Sequence, residues 1–260
     1  MGKLYLGTQE IGAAYAPTVT NPEAYIPLEV SPLGALGKPN DSYAWSVPST
    51  ATKINARALY YAFYGDTHLT SVDLSSVTEV EQDGMYDAFY GCTALTSIDL
   101  SNLTTIRNSG LRGAFGNCRI TTLDLSSLTN IGQQGLYQAF DYSSVTSADL
   151  SSVSVVGSMG MSYVFHYCYR LASVDLRSVS VIGTNGFSWA FASCTRLTSL
   201  SFPSLTTSSF GNYTDQFDYM LQGCSGVTVH FPAAIQSTIG NWSSVTSGFG
   251  GTNTTVLFDL

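Results

Sequence analysis

The sequence predicts an α/β solenoid, in which parallel strands form one face and short helices form the other. A unit of 25–26 residues recurs from about Ala51 to Thr228, and self-similarity at such a period is the mark of stacked repeats. Each unit also shows an alternating apolar pattern followed by a helical one. The strand anchors of the seven copies are Leu69, Leu95, Ile120, Val145, Leu171, Leu197 and Val227.

Two periodicities follow one another inside each unit. Ile98 and Leu100 alternate with polar residues, which predicts a short strand with one buried face. Apolar residues then recur at i, i+3, i+4 and i+7, which predicts one face of a short helix. In the copy that begins at Leu95, these apolar residues are Leu111, Ala114, Phe115 and Cys118. A helix of two turns is not stable alone, so we expect it to be held by packing on its own strand and on neighbouring copies.

A glycine precedes the first apolar residue of five of the predicted helices, at Gly84, Gly110, Gly135, Gly160 and Gly186. We expect these glycines to form a tight turn that needs an unusual φ. Close approach of the backbone to a ligand is the alternative.

The predicted domain organisation is one array with two end pieces. Residues 1–50 contain six of the eight prolines and are predicted to be an N-terminal cap or attachment segment, with a hairpin over Lys3–Tyr15. Residues 51–231 form the solenoid. Residues 232–260 form a C-terminal cap, with a short helix at Pro232–Trp242 and a closing strand at Thr254–Phe258. Caps are expected because the end coils of a solenoid would otherwise expose apolar surface and strand edges.

Composition excludes several classes of function. The net charge of −8 disfavours nucleic acid as a partner, because phosphate binding needs clustered Lys and Arg. No run of 18 apolar residues occurs, so membrane insertion is not predicted. The first ten residues lack the apolar core of a signal peptide. This suggests either that a leader peptide has been removed or that the protein leaves its cell by lysis. The oligomeric state stays open.

The five cysteines occupy one repeat position and are predicted to be buried free thiols. A linear column does not supply the tetrahedral geometry of a zinc site, although a bridge between neighbouring copies stays open. We expect Cys168 to face Ser143 of the preceding copy. The three histidines lie in no recognisable catalytic motif, so we predict that the protein is not an enzyme.

The unit L-T-S-I-D-L-S-x-L-T-x-I followed by A-F-x-x-C resembles the BspA-like (Treponema-type) leucine-rich repeat over roughly residues 51–231. This chain has D-L-S-S where the family often has L-P after the strand. The proline after the strand is present only at Phe202-Pro203 and Phe231-Pro232. The resemblance implies a right-handed leucine-rich-repeat array. It further implies a relationship to bacterial cell-surface or secreted proteins that are implicated in adhesion. Related arrays occur in gut-bacterial prophage and phage proteins. Residues 3–8 also resemble the start of phage or prophage tail-associated proteins.

The first candidate site is a ladder of aspartates at one strand position: Asp73, Asp99, Asp124, Asp149 and Asp175. Stacked copies would place these carboxylates about 5 Å apart, where like charges repel and recruit cations. Calcium suits such oxygen ligands, so calcium is the one cofactor that the sequence suggests. The structural alternative is that each carboxylate accepts hydrogen bonds from the turn that follows it.

The second candidate site is a set of aromatic residues beside the buried helix face. Such rings would bind a protein or glycan, or would lie flat and cover neighbouring coils. The predicted contact patch is Tyr163, His166, Tyr167, Tyr169 and Trp189. These features predict a non-catalytic recognition module that binds a host-surface protein or glycan. We expect a phage or prophage virion protein attached through its N-terminal segment. A bacterial cell-surface adhesin and a purely structural spacer are the alternatives.

Overall fold

The computed structural model describes residues 5–6, 9–10, 42–210, 215–237 and 248–260. The strands within these ranges are β1 (Tyr5–Leu6), β2 (Gln9–Glu10), β3 (Tyr43–Ser46), β4 (Lys53–Ile54), β5 (Leu69–Asp73), β6 (Glu79–Val80), β7 (Ser97–Asp99), β8 (Thr105–Ile106), β9 (Thr122–Asp124), β10 (Asn130–Ile131), β11 (Ser147–Asp149), β12 (Val155–Val156), β13 (Ser173–Asp175), β14 (Val181–Ile182), β15 (Ser199–Ser201), β16 (Thr228–Phe231) and β17 (Thr255–Phe258). Short 3-10 helices cover Thr207–Phe210 and Ala233–Ile235. No helix in the described ranges has the length and hydropathy needed to cross a membrane.

Two stacks of parallel strands run along the array, and each of the first six coils adds one strand to each stack. The first stack consists of three groups, β3–β5–β7, β9–β11–β13 and β15–β16–β17, and its outward side is called the strand face below. The second stack is the six-stranded sheet β4–β6–β8–β10–β12–β14. Paired residues are one repeat apart, so that Val72 lies opposite Ile98. The fold is therefore a parallel β-solenoid: the predicted solenoid is confirmed, whereas the predicted α/β class is not.

The N-terminal segment is described only in part. β1 and β2 pair antiparallel, with Tyr5 opposite Glu10, in agreement with the predicted hairpin. Most of the remaining predicted attachment segment, residues 11–41, lies outside the described residues. β3 falls inside the predicted segment and pairs in parallel with β5. Trp45 of β3 packs its ring on Phe63, with 4.9 Å between the ring centroids, so this strand belongs to the first coil of the array.

The predicted short helices are wrong: the chain there forms a run of overlapping four-residue turns, here called the turn run. In a helix each N–H donates to the carbonyl four residues earlier. Instead, the Ala114 N–H donates to the Leu111 carbonyl at 3.1 Å, while the Phe115 N–H donates to the Ala139 carbonyl of the next coil at 2.8 Å. Successive amides thus alternate between a local turn and a neighbouring coil.

The backbone angles exclude a helix independently. Positive φ recurs at every fourth residue, as at Ser109 (54°), Gly113 (62°) and Asn117 (57°), whereas an α-helix needs negative φ throughout. A four-residue turn period places positions i, i+3, i+4 and i+7 on one side just as a helix does. The apolar spacing therefore cannot distinguish the two structures. The turn run prevails because stacked coils supply hydrogen-bond partners that an isolated two-turn helix would lack.

Glycine at the positive-φ positions should contribute measurably to stability. Gly91 has φ 75°, and an added Cβ would meet only the Gly65 backbone, at 3.5 Å or more, so space is not limiting. We expect Gly91→Ala to lower the free energy of unfolding by about 1 kcal/mol, because a left-handed conformation strains an L-residue. Gly91→Asn should cost less, since Asn tolerates this region and Asn117 occupies the corresponding position. Urea unfolding measures both variants, and equal losses would contradict backbone strain as the cause.

The glycine column before the turn run has a different explanation from the one predicted. Gly110 and its four equivalents do not have positive φ; the residue before each of them does, as Ser109 shows. A Cβ on Gly110 would lie 3.1 Å from the Arg107 carbonyl oxygen and 3.2 Å from that of Glu81. Glycine is thus required at these positions because backbone atoms of the same and the neighbouring coil lie too close for a Cβ.

The core is a column of stacked phenylalanines. Ring centroids of successive coils are separated by 5.0 to 6.0 Å, and the rings are almost parallel. The column comprises Phe63, Phe89, Phe115, Phe140, Phe165 and Phe191, all of them buried. Because each ring inside the column packs on rings of both neighbouring coils, the column joins the coils into one continuous core.

The cysteine column lies beside the phenylalanines, and all five thiols are free and buried, as predicted. The Cys168 thiol donates to the Phe140 carbonyl at 3.1 Å and lies 3.2 Å from the Ser143 hydroxyl, the expected neighbour. Burial raises the pKa of Cys168 to about 12, so this thiol stays protonated at neutral pH. The column is therefore a packing and hydrogen-bonding feature.

The C-terminal end confirms one prediction and replaces another. The closing strand predicted at Thr254–Phe258 is β17, which pairs in parallel with β16. The predicted helix Pro232–Trp242 contains only the 3-10 helix Ala233–Ile235, and its residues 238–242 lie outside the described residues. β17 continues the strand stack in register, so the sheet extends into the predicted cap.

Candidate functional site

The outward side of the turn run carries most of the aromatic surface and is called the aromatic face. Alanine and phenylalanine of each A-F pair point inward, so most of the large side chains flanking the pair point outward. Coils stack at about the strand spacing of 4.8 Å, which brings rings at equivalent positions into contact. The aromatic face consists of Tyr60, Tyr61, Tyr64, Tyr86, Tyr90, Arg112, Tyr137, Tyr142, Tyr163, His166, Tyr167, Tyr169, Trp189 and Tyr219.

A row of ring and guanidinium contacts begins in the first coil. The Tyr60 ring stacks on Tyr86 at 5.0 Å. The Arg112 guanidinium lies between Tyr86 and Tyr137, 5.1 Å and 4.8 Å from their ring centroids. Arg112 also donates to the Gln134 side-chain oxygen at 3.0 Å, which fixes its position. A cation over two ring faces is attracted by both rings, so Arg112 completes the row in the coil that lacks an aromatic residue there.

The row continues through the C-terminal half of the array. Tyr137 and Tyr163 are 5.6 Å apart, and Tyr163 stacks on Trp189 at 5.7 Å with only 5° between the ring planes. Trp189 then stacks on Tyr219 at 4.9 Å. We call this continuous set the aromatic row: Tyr60, Tyr86, Arg112, Tyr137, Tyr163, Trp189 and Tyr219.

The structure brings the five residues of the predicted contact patch together. His166 lies edge-on to Tyr163 at 5.3 Å and to Trp189 at 6.1 Å, and its ring centroid is 4.1 Å from that of Tyr167. Tyr167 in turn lies 5.8 Å from Tyr169, which is 51% exposed. His166 is therefore the centre of the patch.

The sequence did not predict that four further residues belong to the contact patch or to the aromatic row. Asp141 is buried, and its carboxylate oxygen lies 3.1 Å from Nδ1 of His166. Tyr142 stacks on Tyr167 at 4.5 Å. Tyr219 and Arg112 belong to the aromatic row. Alignment by the cysteine column would have placed Tyr219 beside Trp189, because each lies five residues before its cysteine, Cys224 and Cys194. Alignment by the strand anchor hides this equivalence, because the last step of the repeat is longer.

Several phenols of the aromatic face have pKa values above the ordinary value of tyrosine. Burial raises the pKa of Tyr61, and a hydrogen bond to the Asp87 carboxylate raises it further. Burial likewise raises the pKa of Tyr163. The Asp87 carboxyl also has a raised pKa because burial outweighs the opposing effects of Tyr61 and Arg112. The face thus presents neutral hydroxyl groups, which both donate and accept hydrogen bonds.

The aspartate ladder lies on the strand face, and its carboxylates are engaged in the turns that follow the strands. The Asp99 carboxylate accepts the Ser101 N–H at 3.0 Å, and the Asp149 carboxylate accepts the Ser151 N–H at 2.9 Å. Asp73, Asp124 and Asp175 make the same contact. The hydrogen bonds from Ser75 lower the pKa of the Asp73 carboxyl. This is the local structural role that the sequence left as the alternative to cation binding.

The pairing of the strands divides the aspartate ladder into two groups. Asp73 lies opposite Asp99, while Asp149 lies between Asp124 and Asp175. Arg177 forms an ion pair with Asp175 and so neutralises one carboxylate of the second group. Across the described ranges, no three or more His, Cys, Asp or Glu side chains are grouped so as to hold a metal ion.

Comparison with known families decides the classification. Residues 57–189 and 161–242 match the BspA type leucine rich repeat region, with six copies. The chain belongs to this family of leucine-rich-repeat proteins. These repeats are typical of non-catalytic proteins of binding or adhesion, and proteins carrying them are commonly found at the cell surface or outside the cell.

Comparison with individual proteins adds little to the family assignment. The chain is similar to a leucine-rich repeat protein from Eubacterium ventriosum, at 15% identity and a TM-score of 0.30, over 75% of this chain and 70% of that one. A search of curated proteins finds no match.

Proposed function

We propose that this BspA-type repeat protein is a non-catalytic recognition module that binds a host-surface protein or glycan through its aromatic face. The observation that supports the proposal is the aromatic row together with the patch around His166. Contiguous aromatic surface on a protein is typical of an interaction site. Tyrosine, tryptophan and arginine, the residue types of the row, are also those that dominate binding energy at interfaces.

The rigidity of the row favours binding. Each ring is held by stacking on its neighbours, so little side-chain entropy remains to be lost when a partner docks. Stacking also occupies many ring faces within the row, which leaves ring edges and hydroxyl groups for contact. Larger exposed areas lie at Tyr142, Tyr169 and Tyr219, each about half exposed. The partner is therefore expected to make many moderate contacts along a preformed surface.

We further propose that the module is carried on a phage or prophage virion, as a tail or decoration protein attached through its N-terminal segment. The resemblance of residues 3–8 to tail-associated proteins supports this setting. A bacterial cell-surface adhesin is the second candidate, supported by the family. Genes for tail or capsid proteins beside this gene would favour the virion, whereas a longer precursor with a secretion leader would favour the adhesin.

Removal of the Trp189 side chain should abolish most of the binding. We expect Trp189→Ala to weaken binding to host cells or arrayed glycans at least about tenfold, because aromatic residues at the centre of an interface contribute most of its energy. Tyr163→Ala should act in the same direction. The matched control is Val181→Ala, since Val181 is 48% exposed but lies on the other strand stack.

The melting temperature of each variant shows whether a loss of binding is caused by a loss of folding. Binding that survives both aromatic substitutions would contradict the proposed surface. Failure to find any ligand among host cells, host proteins and glycans would favour a structural spacer, in which the aromatic row only covers the coils.

We retain calcium binding by the aspartate ladder as a separate proposal. The in-register group Asp124, Asp149 and Asp175 supports it, while the turn hydrogen bonds and the Arg177 ion pair oppose it. A bound cation stabilises the native state, so ~1 mM calcium should raise the melting temperature of the wild type. Asp149→Asn should remove the rise, whereas magnesium should not reproduce it. An unchanged melting temperature in calcium would exclude the site.

A further inference from the structure

Most cationic side chains in the described part of the chain are held by an acid or by an aromatic ring. Those engaged in this way are Lys53, Arg57, Arg107, Arg112 and Arg177. Three exposed arginines differ, because no ion pair, side-chain hydrogen bond or ring contact joins them to any described residue. We call these three the arginine edge: Arg119, Arg170 and Arg196.

The arginine edge occupies one repeat position, the residue immediately before the strand anchor. Arg170 precedes Leu171 and Arg196 precedes Leu197, so the two arginines lie on neighbouring coils, at the corner between the turn run and the first strand stack. Their backbones are separated by about the strand spacing of 4.8 Å, and Arg119 lies two coils before Arg170, at about 10 Å. Other coils carry a small residue or a histidine here, namely His68, Ala94, Ser144 and Gly226. Packing of the coils therefore does not require arginine at this position.

The charge of this corner contrasts with that of the whole protein. Guanidinium groups on adjacent coils repel one another when no acid lies between them. An anion between Arg170 and Arg196 would remove the repulsion and accept hydrogen bonds from both side chains. The planar guanidinium suits oxyanions in particular, because its N–H groups can donate to two oxygens at once. On a protein of net charge −8, such a corner attracts anions that the remaining surface repels.

An exposed tyrosine joins the arginine edge to the aromatic face. Tyr169 directly precedes Arg170 in the chain and is 51% exposed. Its ring centroid lies 5.8 Å from that of Tyr167, so it is continuous with the contact patch. Aromatic rings offer an apolar face, on which the C–H face of a sugar ring can pack. A sugar on Tyr169 would thus hold an acidic substituent close to Arg170 and Arg196.

We propose that the arginine edge binds the carboxylate or sulfate groups of an acidic glycan, whose sugar rings extend onto Tyr169 and the contact patch. The inference rests on the proposed recognition function and adds to it a ligand class. Arg119, about 10 Å from Arg170, would engage a further acidic group of the same linear glycan. Nucleic acid fits less well, because three arginines neutralise few phosphates and the acidic remainder of the protein repels the others.

Isothermal titration calorimetry of the intact protein tests the site. The probes are sialyllactose for the carboxylate, a heparin tetrasaccharide for the sulfate, and lactose as the neutral comparison. At least one acidic probe should bind, and lactose should bind at least about tenfold more weakly. Raising the salt concentration from about 50 to about 300 mM should weaken binding of the acidic probe, because salt screens exposed charges.

Two double variants that remove the same charge locate the binding. Arg170→Gln combined with Arg196→Gln should weaken binding of the acidic probe at least about tenfold. Arg107→Gln combined with Arg177→Gln removes two cations that are paired with acids elsewhere, and should leave binding unchanged. The fold should tolerate the first pair, since Ala94 and Ser144 occupy the same position in other coils. The melting temperature of each variant checks this.

Four outcomes decide the inference. Failure of both acidic probes to bind, or unchanged binding in the Arg170/Arg196 variant, would overturn it. Oligoglutamate that binds as tightly as the acidic glycans would also overturn it, because charge alone would then be recognised. Host binding that is lost in Trp189→Ala but kept in the Arg170/Arg196 variant would overturn it and leave the proposed function intact. The reverse pattern would support the arginine edge and contradict the aromatic face.

Discussion

Replacement of Phe115 by alanine should lower the free energy of unfolding by about 3–5 kcal/mol, the usual cost of deleting a buried phenylalanine ring. Phe115 is fully buried and stacks between Phe89 at 5.3 Å and Phe140 at 5.6 Å. Its removal leaves a cavity and deprives both neighbours of a stacking partner. Each coil of a solenoid contacts only its neighbours, so the loss also weakens the coupling between the two halves of the array.

Urea unfolding followed by circular dichroism measures this loss. The matched variant is Phe115→Leu, because Leu221 fills the corresponding position in the last coil, and it should cost clearly less than alanine. A second, earlier transition in Phe115→Ala would show directly that the halves have become uncoupled. A loss below about 1 kcal/mol would contradict the stacked column as the main core, since it is smaller than one buried ring should contribute.

Addition of a single methyl group at Gly183 should destabilise the protein by about 1–3 kcal/mol through overpacking. A Cβ at this position would lie 2.5 Å from the Ser158 backbone nitrogen and 2.7 Å from the Gly157 carbonyl carbon. Both atoms belong to the backbone of the preceding coil, so no side chain can move aside. The two coils would have to separate locally.

Gly226→Ala is a comparison variant that adds a Cβ without any steric contact. Gly226 has φ 71° and nothing within 4 Å of an added Cβ, so alanine there strains only its own backbone. It should cost about 1 kcal/mol. Thermal and urea unfolding compare the two variants, and Gly183→Ala should lose more than the control. If Gly183→Ala were neutral, the close packing of the coils at this glycine would be wrong.

The candidate site was predictable in part. The variable positions beside each A-F pair are outward whether the segment is a helix or a turn run, so Tyr163, Tyr167 and Trp189 were found from the repeat. The link through Arg112 was not predictable, because an arginine in an aromatic column is visible only when its guanidinium is placed between two rings.

The sequence by itself determined that this protein is a solenoid, where the strands of its first stack lie and which residues fill its core, but it did not predict the second strand stack. A repeated apolar pattern can be buried only by stacking copies in register, so those features follow from periodicity. Only the tertiary structure decided that the A-F segment is a turn run, and that the glycines before it serve close packing. Helix and turn run share one apolar spacing. Hydrogen bonds between coils, which no single repeat contains, select the turn run and bring the tyrosines, Arg112 and Trp189 into one row.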